Sequence, residues 1–142
     1  MTRSFLAATA VALTLSACSG AAPVTPGGNV LPAAESYQDQ TWELELVDGA
    51  VFSARPVRAT AEFSRNGYAF NGPCNSRSGN YMLGSAGMLV LTPGEKTEMA
   101  CADPADARFF ALVDAVTELR VTRAGLLLVT ADGRQLAFRP YS

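Results

Sequence analysis

From residue 41 onward, apolar and polar residues alternate with the two-residue period of a β-strand. In segment 41–47 the apolar residues share one predicted face: Trp42, Leu44 and Leu46. Glu43 and Glu45 fall on the opposite face, which predicts a strand with one side buried and the other in water. Segment 58–63 repeats the pattern with three residues directed inward: Ala59, Ala61 and Phe63. The chain is therefore expected to build its core on a β-sheet.

Turn dipeptides between the apolar segments predict hairpins. Asn66-Gly67 precedes a strand at 68–70, and Asp132-Gly133 joins the apolar run 126–129 to the segment 135–138. Both dipeptides favour tight turns because their residues tolerate positive φ. The sheet is therefore expected to be antiparallel.

One segment, 103–119, has the period of an α-helix. Asp103 is the expected N-cap, Pro104 the first helical residue, and Asp106 lies near the positive end of the helix dipole. The apolar residues form a single stripe: Phe109, Leu112, Val113 and Val116. Together the patterns predict an α+β fold, a curled antiparallel β-sheet of about seven or eight short strands with one α-helix packed on it.

Composition limits the functions that the chain can serve. Of its 142 residues, 49% are hydrophobic and 17% charged, the formal net charge is -2, and there is no histidine. Histidine is the commonest general base and the commonest metal ligand, so its absence weakens most hydrolase interpretations. The basic residues are scattered singly and form no patch. We expect a protein that is not an enzyme, with no metal or other cofactor and no nucleic-acid partner.

The N-terminus has the form of a bacterial lipoprotein signal. Residues 1–17 combine a basic residue with an apolar stretch, and Leu15-Ser16-Ala17-Cys18 resembles the lipobox. Cleavage before Cys18 and lipidation of its thiol and new amino group would anchor the chain, because two or three acyl chains bind a membrane stably. The alternative is an ordinary secreted protein whose signal happens to end in cysteine.

The segment 18–40 is rich in Ala, Pro, Gly and Ser and has no periodicity. It is expected to be a lipidated N-terminus and flexible tether that reaches roughly 25 Å from the lipid surface. The remaining residues, 41–142, would form one domain. Ser19 stands where an aspartate would resemble an inner-membrane retention signal, which favours an outer-membrane location facing the periplasm.

Two clusters in the domain resemble the signatures of the META domain family, which includes the HslJ-like envelope proteins. The first resembles the family's G-C-N followed by S-G and an aromatic residue: Gly72, Cys74, Asn75, Ser78, Gly79 and Tyr81. The second is similar to the family's T-x-M-x-C: Thr97, Met99 and Cys101. Two departures are Pro73, inserted before Cys74, and Glu98, where a basic residue is common. The resemblance implies an α+β module of the cell envelope with a role in stress and no agreed catalytic residues or ligand.

Cys74 and Cys101 remain as a pair once Cys18 is assigned to lipid. In an oxidising compartment a disulfide is the simplest interpretation. Two buried free thiols, a metal site or a nucleophilic cysteine are the alternatives, although a metal would need further ligands and a nucleophile would need a base.

The neighbours of these cysteines have both structural and functional interpretations. Asn71-Gly72 and Ser78-Gly79 are expected in turns, and Glu95 and Glu98 in a loop after Pro93-Gly94. Core positions are expected for Trp42, Tyr81 and Met99. Asn75 is expected to cap backbone groups or contact a ligand. Arg77 is expected in a loop, either solvated or in contact with a partner.

Three functions follow from these observations. The first is a non-catalytic, lipid-anchored periplasmic domain that binds a protein or small ligand, or protects the envelope under stress. The second is an inhibitor of a secreted protease or lysozyme, with the Cys74 loop as the inserted element. The third is a thiol enzyme that uses Cys74 or Cys101, and it needs a positive charge near the thiolate.

Overall fold

The computed structural model describes residues 37–52 and 58–142, so the predicted signal peptide, Cys18 and most of the predicted tether lie outside the described residues. The described residues form nine strands: β1 (Gln40–Val47), β2 (Ala50–Val51), β3 (Thr60–Phe63), β4 (Gly67–Asn71), β5 (Ser76–Leu83), β6 (Leu89–Lys96), β7 (Val116–Thr122), β8 (Gly125–Thr130) and β9 (Gln135–Pro140). Helix α1 (Pro104–Asp114) lies between β6 and β7. No helix in the described ranges is long and apolar enough to cross a membrane.

Eight of the strands form one antiparallel sheet in the order β6-β5-β4-β3-β1-β9-β8-β7, and β2 pairs with the end of β1. The sheet curls until its two outer strands meet at a single bridge between Met88, just before β6, and Glu118 in β7. Gly87 has φ +81°, and a Cβ atom there would collide with the carbonyl oxygen of Leu119. The predicted α+β fold, a curled antiparallel sheet with one helix, is confirmed.

The start of α1 matches the sequence prediction, but its end does not. The side chain of Asp103 accepts a hydrogen bond from the N–H of Ala105 at 2.8 Å, and Pro104 is the first helical residue. The helix ends at Asp114 instead of continuing to residue 119. The following residues form β7, because this β-branched run pairs with β8.

Helix α1 packs onto the concave, apolar side of the sheet. Phe109 is completely buried, and its ring lies 6.1 Å from that of Phe52 and 6.3 Å from that of Phe70, centroid to centroid. Leu112 and Val113, from the predicted apolar stripe, are buried as well. These contacts hold the helix beside the segments that carry the two cysteines.

The folded domain includes residues that the sequence pattern assigned to the tether. Tyr37 is only 2% exposed, and its ring packs edge-on against Phe63 and Tyr81. Its hydroxyl lies 3.2 Å from that of Tyr81, and its carbonyl accepts a hydrogen bond from Trp42 Nε1 at 3.0 Å. Burial and the bond with Tyr81 raise the pKa of Tyr37 to about 12. Trp42 and Tyr81 lie in the core, as predicted.

The prediction of a wet face on β1 is wrong at Glu43, which is 5% exposed. Arg58 and Arg139 cover its carboxylate, with nitrogen-to-oxygen distances of 2.8 and 3.1 Å. A bulge in β1, opposite β9, then shifts the alternation, so that Val47 is buried and Leu46 is only partly buried. The paired charges and the bulge override the simple alternation.

Both predicted hairpins form, although the first uses a different turn. Neither Asn66 nor Gly67 has positive φ. The β3–β4 turn is instead held by Ser64, whose Oγ accepts a hydrogen bond from the N–H of Gly67 at 3.2 Å. In the β8–β9 turn, Gly133 has φ +85°.

Two segments predicted as turn or loop belong to strands. Ser78 and Gly79 lie in the middle of β5, and residues 93–95 lie in β6. A Cβ atom on Gly79 would collide with the carbonyl oxygen of Thr92, so glycine permits the close approach of the two strands. Pro93 is tolerated because β6 is an edge strand.

Candidate functional site

Cys74 and Cys101 are joined by a disulfide bond, with their Cα atoms 6.1 Å apart. The bond connects the segment between β4 and β5 to the segment that precedes α1. Of the alternatives that the sequence left open, the disulfide is the one present. It occupies both sulfur atoms, so the oxidised domain offers no thiolate at these positions for the thiol-enzyme hypothesis.

The carboxylate of Asp106, in the first turn of α1, binds the same segment. It is 4% exposed, and its Oδ1 accepts hydrogen bonds from the backbone N–H groups of Cys74 and Asn75, each at 3.0 Å. Burial raises the pKa of Asp106, but the hydrogen bonds from Asn75 and Cys74 and the charge of Arg77 outweigh it and hold this pKa below its ordinary value. Asp106 therefore stays ionised and serves the fold.

The side chain of Asn75 connects α1 to the loop after β6. Its Nδ2 donates to Oδ2 of Asp106 at 2.8 Å and lies 3.1 Å from Sγ of Cys101. Its Oδ1 accepts from the N–H of Met99 at 2.7 Å and from Oγ1 of Thr97 at 3.1 Å. Both ends of the amide are thus used inside the domain, where they bind backbone and side-chain groups.

The prediction of a core position for Met99 is wrong. Its side chain is 60% exposed instead of filling a gap in the core. Only its backbone joins the network, since the N–H and the carbonyl both bind Asn75. Residues 97–101 have no regular structure and run across the surface, which leaves the methionine side chain in water.

The two family clusters therefore build one structural unit, which we call the disulfide cluster: Cys74, Asn75, Thr97, Cys101 and Asp106. Gly72 lets α1 approach, because a Cβ atom there would lie 2.6 Å from Oδ1 of Asp106 and 2.7 Å from the ring of Phe110. Ser78, Gly79 and Tyr81 lie further along β5 and are not part of it. Within the part of the chain that the structure describes, no group of three or more metal-ligating side chains is placed to hold a metal ion.

A separate groove of about 600 Å³ lies beside the bridge between the outer strands, and we call it the seam groove. Its walls are β6, the last turn of α1 and the start of β7. Four of its lining residues are apolar and partly or fully buried: Leu89, Leu91, Val113 and Val116. This volume and mixture of residues lie in the range of small-ligand sites.

The hydroxyl of Tyr68 is the notable polar group of the seam groove. Tyr68 is 8% exposed as a whole and lines the groove, and its hydroxyl oxygen reaches solvent and makes no hydrogen bond with any described residue. Burial and the nearby negative charge of Asp114 raise the pKa of Tyr68. The hydroxyl therefore stays protonated at neutral pH and is able to donate a hydrogen bond.

Arg77 lies at the rim of the seam groove, in β5 instead of the predicted loop. It forms an ion pair with Asp114, and its guanidinium carbon lies 4.6 Å from the centroid of the Phe110 ring. Its side chain is 31% exposed, so part of the guanidinium faces solvent. Contact of Arg77 with a partner remains a prediction.

The sequence patterns did not indicate the seam groove, because it combines residues from five elements. One signal was present. Residues 78–94 contain no charged side chain, although several apolar residues in this stretch are exposed: Met82, Met88 and Val90. Since edge strands are commonly guarded by charge, this uncharged stretch of the outer hairpin is the sequence signal that marks the edge as a candidate contact surface.

The fold and the disulfide cluster define a class of small α+β domain, in which a helix packs into a curled antiparallel sheet. The META domain model matches residues 35–142, and the chain belongs to the META domain family. The match begins before residue 41, in agreement with the burial of Tyr37.

Two solved structures share the fold. An NMR structure of a protein from Burkholderia xenovorans is 21% identical, with a TM-score of 0.55 over 85% of this chain and 99% of that chain. A second NMR structure is 23% identical, with a TM-score of 0.61 over 77% of this chain and 95% of that chain. At these identities the likeness establishes the fold alone. A search of curated proteins found no match.

Proposed function

We propose that this META domain is a non-catalytic, lipid-anchored module of the periplasm that binds a ligand or partner in the seam groove and protects the cell envelope under stress. One observation carries the binding role: a groove with an apolar floor also holds the hydroxyl of Tyr68, which bonds to no described residue. An apolar floor with a few polar groups at its edge is typical of ligand sites, and this hydroxyl is able to donate a hydrogen bond to a ligand acceptor atom in place of water.

The anchoring part of the proposal is supported by the sequence. Leu15-Ser16-Ala17-Cys18 has the form of a lipobox, and the chain after Cys18 has the composition of a tether. An anchor at Cys18 would keep the groove close to the envelope, where a membrane-bound partner would be at high effective concentration.

A groove-filling variant tests the binding role. Thr117 lines the seam groove and is exposed, so Thr117→Trp should fill it without disturbing the core. The probe is 1-anilinonaphthalene-8-sulfonate, followed by isothermal titration. We expect Thr117→Trp to weaken binding at least about tenfold, a loss of about 1.4 kcal/mol. The matched control is Val51→Trp in β2, at a residue that is 76% exposed and does not line the groove. Equal binding by both variants would refute the groove as the site.

The anchor has its own test. In a Gram-negative host fed an alkyne analogue of palmitate, the protein should carry the label and fractionate with the outer membrane. Cys18→Ala should carry no label. A labelled Cys18→Ala variant, or an unlabelled wild-type protein, would exclude lipidation at Cys18.

A further inference from the structure

We propose that the seam groove takes an extended segment of a partner protein, which pairs with the edge of β6 as an additional strand. This inference rests on the proposed function, since it names the class of ligand that the groove binds. Its basis is the open edge of β6 beside an apolar floor.

The first step concerns backbone hydrogen bonds. β6 pairs with β5 on one side, and among the described residues the backbone of 90–95 bonds to no element on its other side. The start of β7, across the groove, pairs with β8 and meets the other outer strand only at the Met88–Glu118 bridge. A strand edge presents N–H and C=O groups in alternation, and their partial charges are complementary to those of an extended peptide. An acyl chain would leave them unpaired.

The second step limits the register. Pro93 has no N–H group, and Glu95 and Lys96 place charges at the far end of the edge. Both features discourage strand pairing there. The stretch 90–92 has neither, so the added strand would pair along about three residues, next to the Met88–Glu118 bridge.

The third step describes the side chains of the partner. Alternate side chains of an added strand point to one face, which here is the apolar floor formed by Leu89, Leu91, Val113 and Val116. The charged residues that line the groove balance in sign: Arg77 and Lys96 against Glu95 and Asp114. The inserted segment is therefore uncharged, with apolar residues at every second position. Tyr68 donates its hydroxyl hydrogen to a backbone carbonyl of that segment.

The test uses the chain from residue 18 onward with Cys18→Ser, so that no lipid is attached. The probe is the capped peptide acetyl-Lys-Thr-Val-Thr-Val-Thr-Lys-amide, in which the uncharged segment Thr-Val-Thr-Val-Thr is the part to be inserted and the two terminal lysines keep the peptide soluble. Two further versions are N-methylated at alternate residues, one along each edge of the extended peptide. Binding is followed by amide chemical shifts and amide hydrogen exchange. We expect slowed exchange within residues 90–92. One methylated version should bind at least about tenfold more weakly than the other, because only one peptide edge faces β6.

Tyr68→Phe and Thr117→Trp complete the design. Tyr68→Phe should weaken peptide binding about five- to tenfold with an otherwise unchanged amide spectrum, since it removes one hydrogen bond. Equal affinity for both methylated peptides would overturn strand pairing. Binding of 1-anilinonaphthalene-8-sulfonate in the groove without binding of any peptide would overturn this inference and leave the proposed function standing. If neither 1-anilinonaphthalene-8-sulfonate nor any peptide binds, both the strand-pairing inference and the proposed function are wrong.

Discussion

Asn75 and Asp106 are joined by two hydrogen bonds, from the backbone N–H of Asn75 to Oδ1 at 3.0 Å and from its Nδ2 to Oδ2 at 2.8 Å. Asn75 belongs to the family motif and was a candidate for ligand contact, but these hydrogen bonds use it to hold the fold together. The disulfide between Cys74 and Cys101 lies beside this pair and cross-links the same two segments. The disulfide cluster therefore fixes α1 to the sheet, and the binding that we propose takes place in the seam groove instead.

Asp106→Asn should lower the free energy of unfolding by about 2–3 kcal/mol at pH 7. The variant keeps the shape of the side chain but loses the charge, and hydrogen bonds to a charged group contribute about 1.5–3 kcal/mol each. Its new amide nitrogen would also face the Nδ2 of Asn75. Urea denaturation measures the difference, and a loss below about 0.5 kcal/mol, within the range of surface substitutions, would contradict the role of Asp106.

The same variant should change the response to acid. The pKa of Asp106 is lowered in the folded state, so the unfolded chain takes up the proton first as the pH falls. The stabilisation by Asp106 is complete above the ordinary carboxyl pKa of about 4 and is lost as the pH falls through the lower, native pKa. The gap in stability between wild type and Asp106→Asn should therefore narrow below about pH 4. A gap that stays constant from pH 7 to pH 2 would count against an ionised Asp106.

Loss of the disulfide should destabilise the domain by about 3.5 kcal/mol, the loop-entropy value for a cross-link with a sequence separation of 27 residues. The double variant Cys74→Ala/Cys101→Ala and reduced wild-type protein should show similar losses in urea denaturation. Alkylation of denatured, unreduced domain should add no label at either position. Two labels on protein isolated from the periplasm would mean that the bond does not form there.

Arg77→Ala should lower stability by about 1 kcal/mol, because it removes the cation–π contact with Phe110 and a partly exposed ion pair with Asp114. Arg77→Lys keeps the charge but lacks the planar guanidinium, so its loss should be smaller. The loss of stability in Asp114→Asn, which removes the ion pair but keeps Arg77 over Phe110, measures the contribution of the ion pair alone. If thermal unfolding gives the same midpoint for wild type and Arg77→Ala, the contact with Phe110 does not contribute to the stability of the domain.

Gly79→Ala should cost about 2–3 kcal/mol, since the added methyl group would enter the backbone of β6. Gly49→Ala is the matched control. At Gly49 an added Cβ would have no atom within 4 Å, so it would meet no steric clash, but the φ of this residue is +78°. It should therefore lose only the backbone term, about 1 kcal/mol. Equal losses in urea denaturation would show that β5 and β6 are not in close contact at Gly79.

Local patterns were sufficient to predict the fold class. The cap at Asp103 and the hairpin around Gly133 depend on residues close in sequence, and both occur as predicted. The end of α1 does not depend on local pattern alone, because pairing with β8 competes for Val116 and Thr117. Propensity sums cannot include a strand that arrives from later in the chain.

Burial of charge was the weakest part of the prediction. Glu43 has the position of a solvated residue in the alternation, yet two arginines far apart in sequence, Arg58 and Arg139, cover it. Asp106 was recognised for its place near the helix dipole, whereas its main partners, Cys74 and Asn75, are more than 30 residues away. Only the three-dimensional contact shows such pairs.

Photo-crosslinking in living cells, from single positions on the chain, tests most directly whether the seam groove binds a partner. A p-benzoyl-phenylalanine residue replaces Thr117 in the seam groove, Pro73 in the Cys74 loop or Val51 on β2. We expect a specific adduct from position 117, with its crosslink mapped to an uncharged extended segment of the partner, and none from 73 or 51. An adduct from position 73 and none from 117 would contradict binding in the seam groove, and would favour the Cys74 loop as the inserted element of an inhibitor.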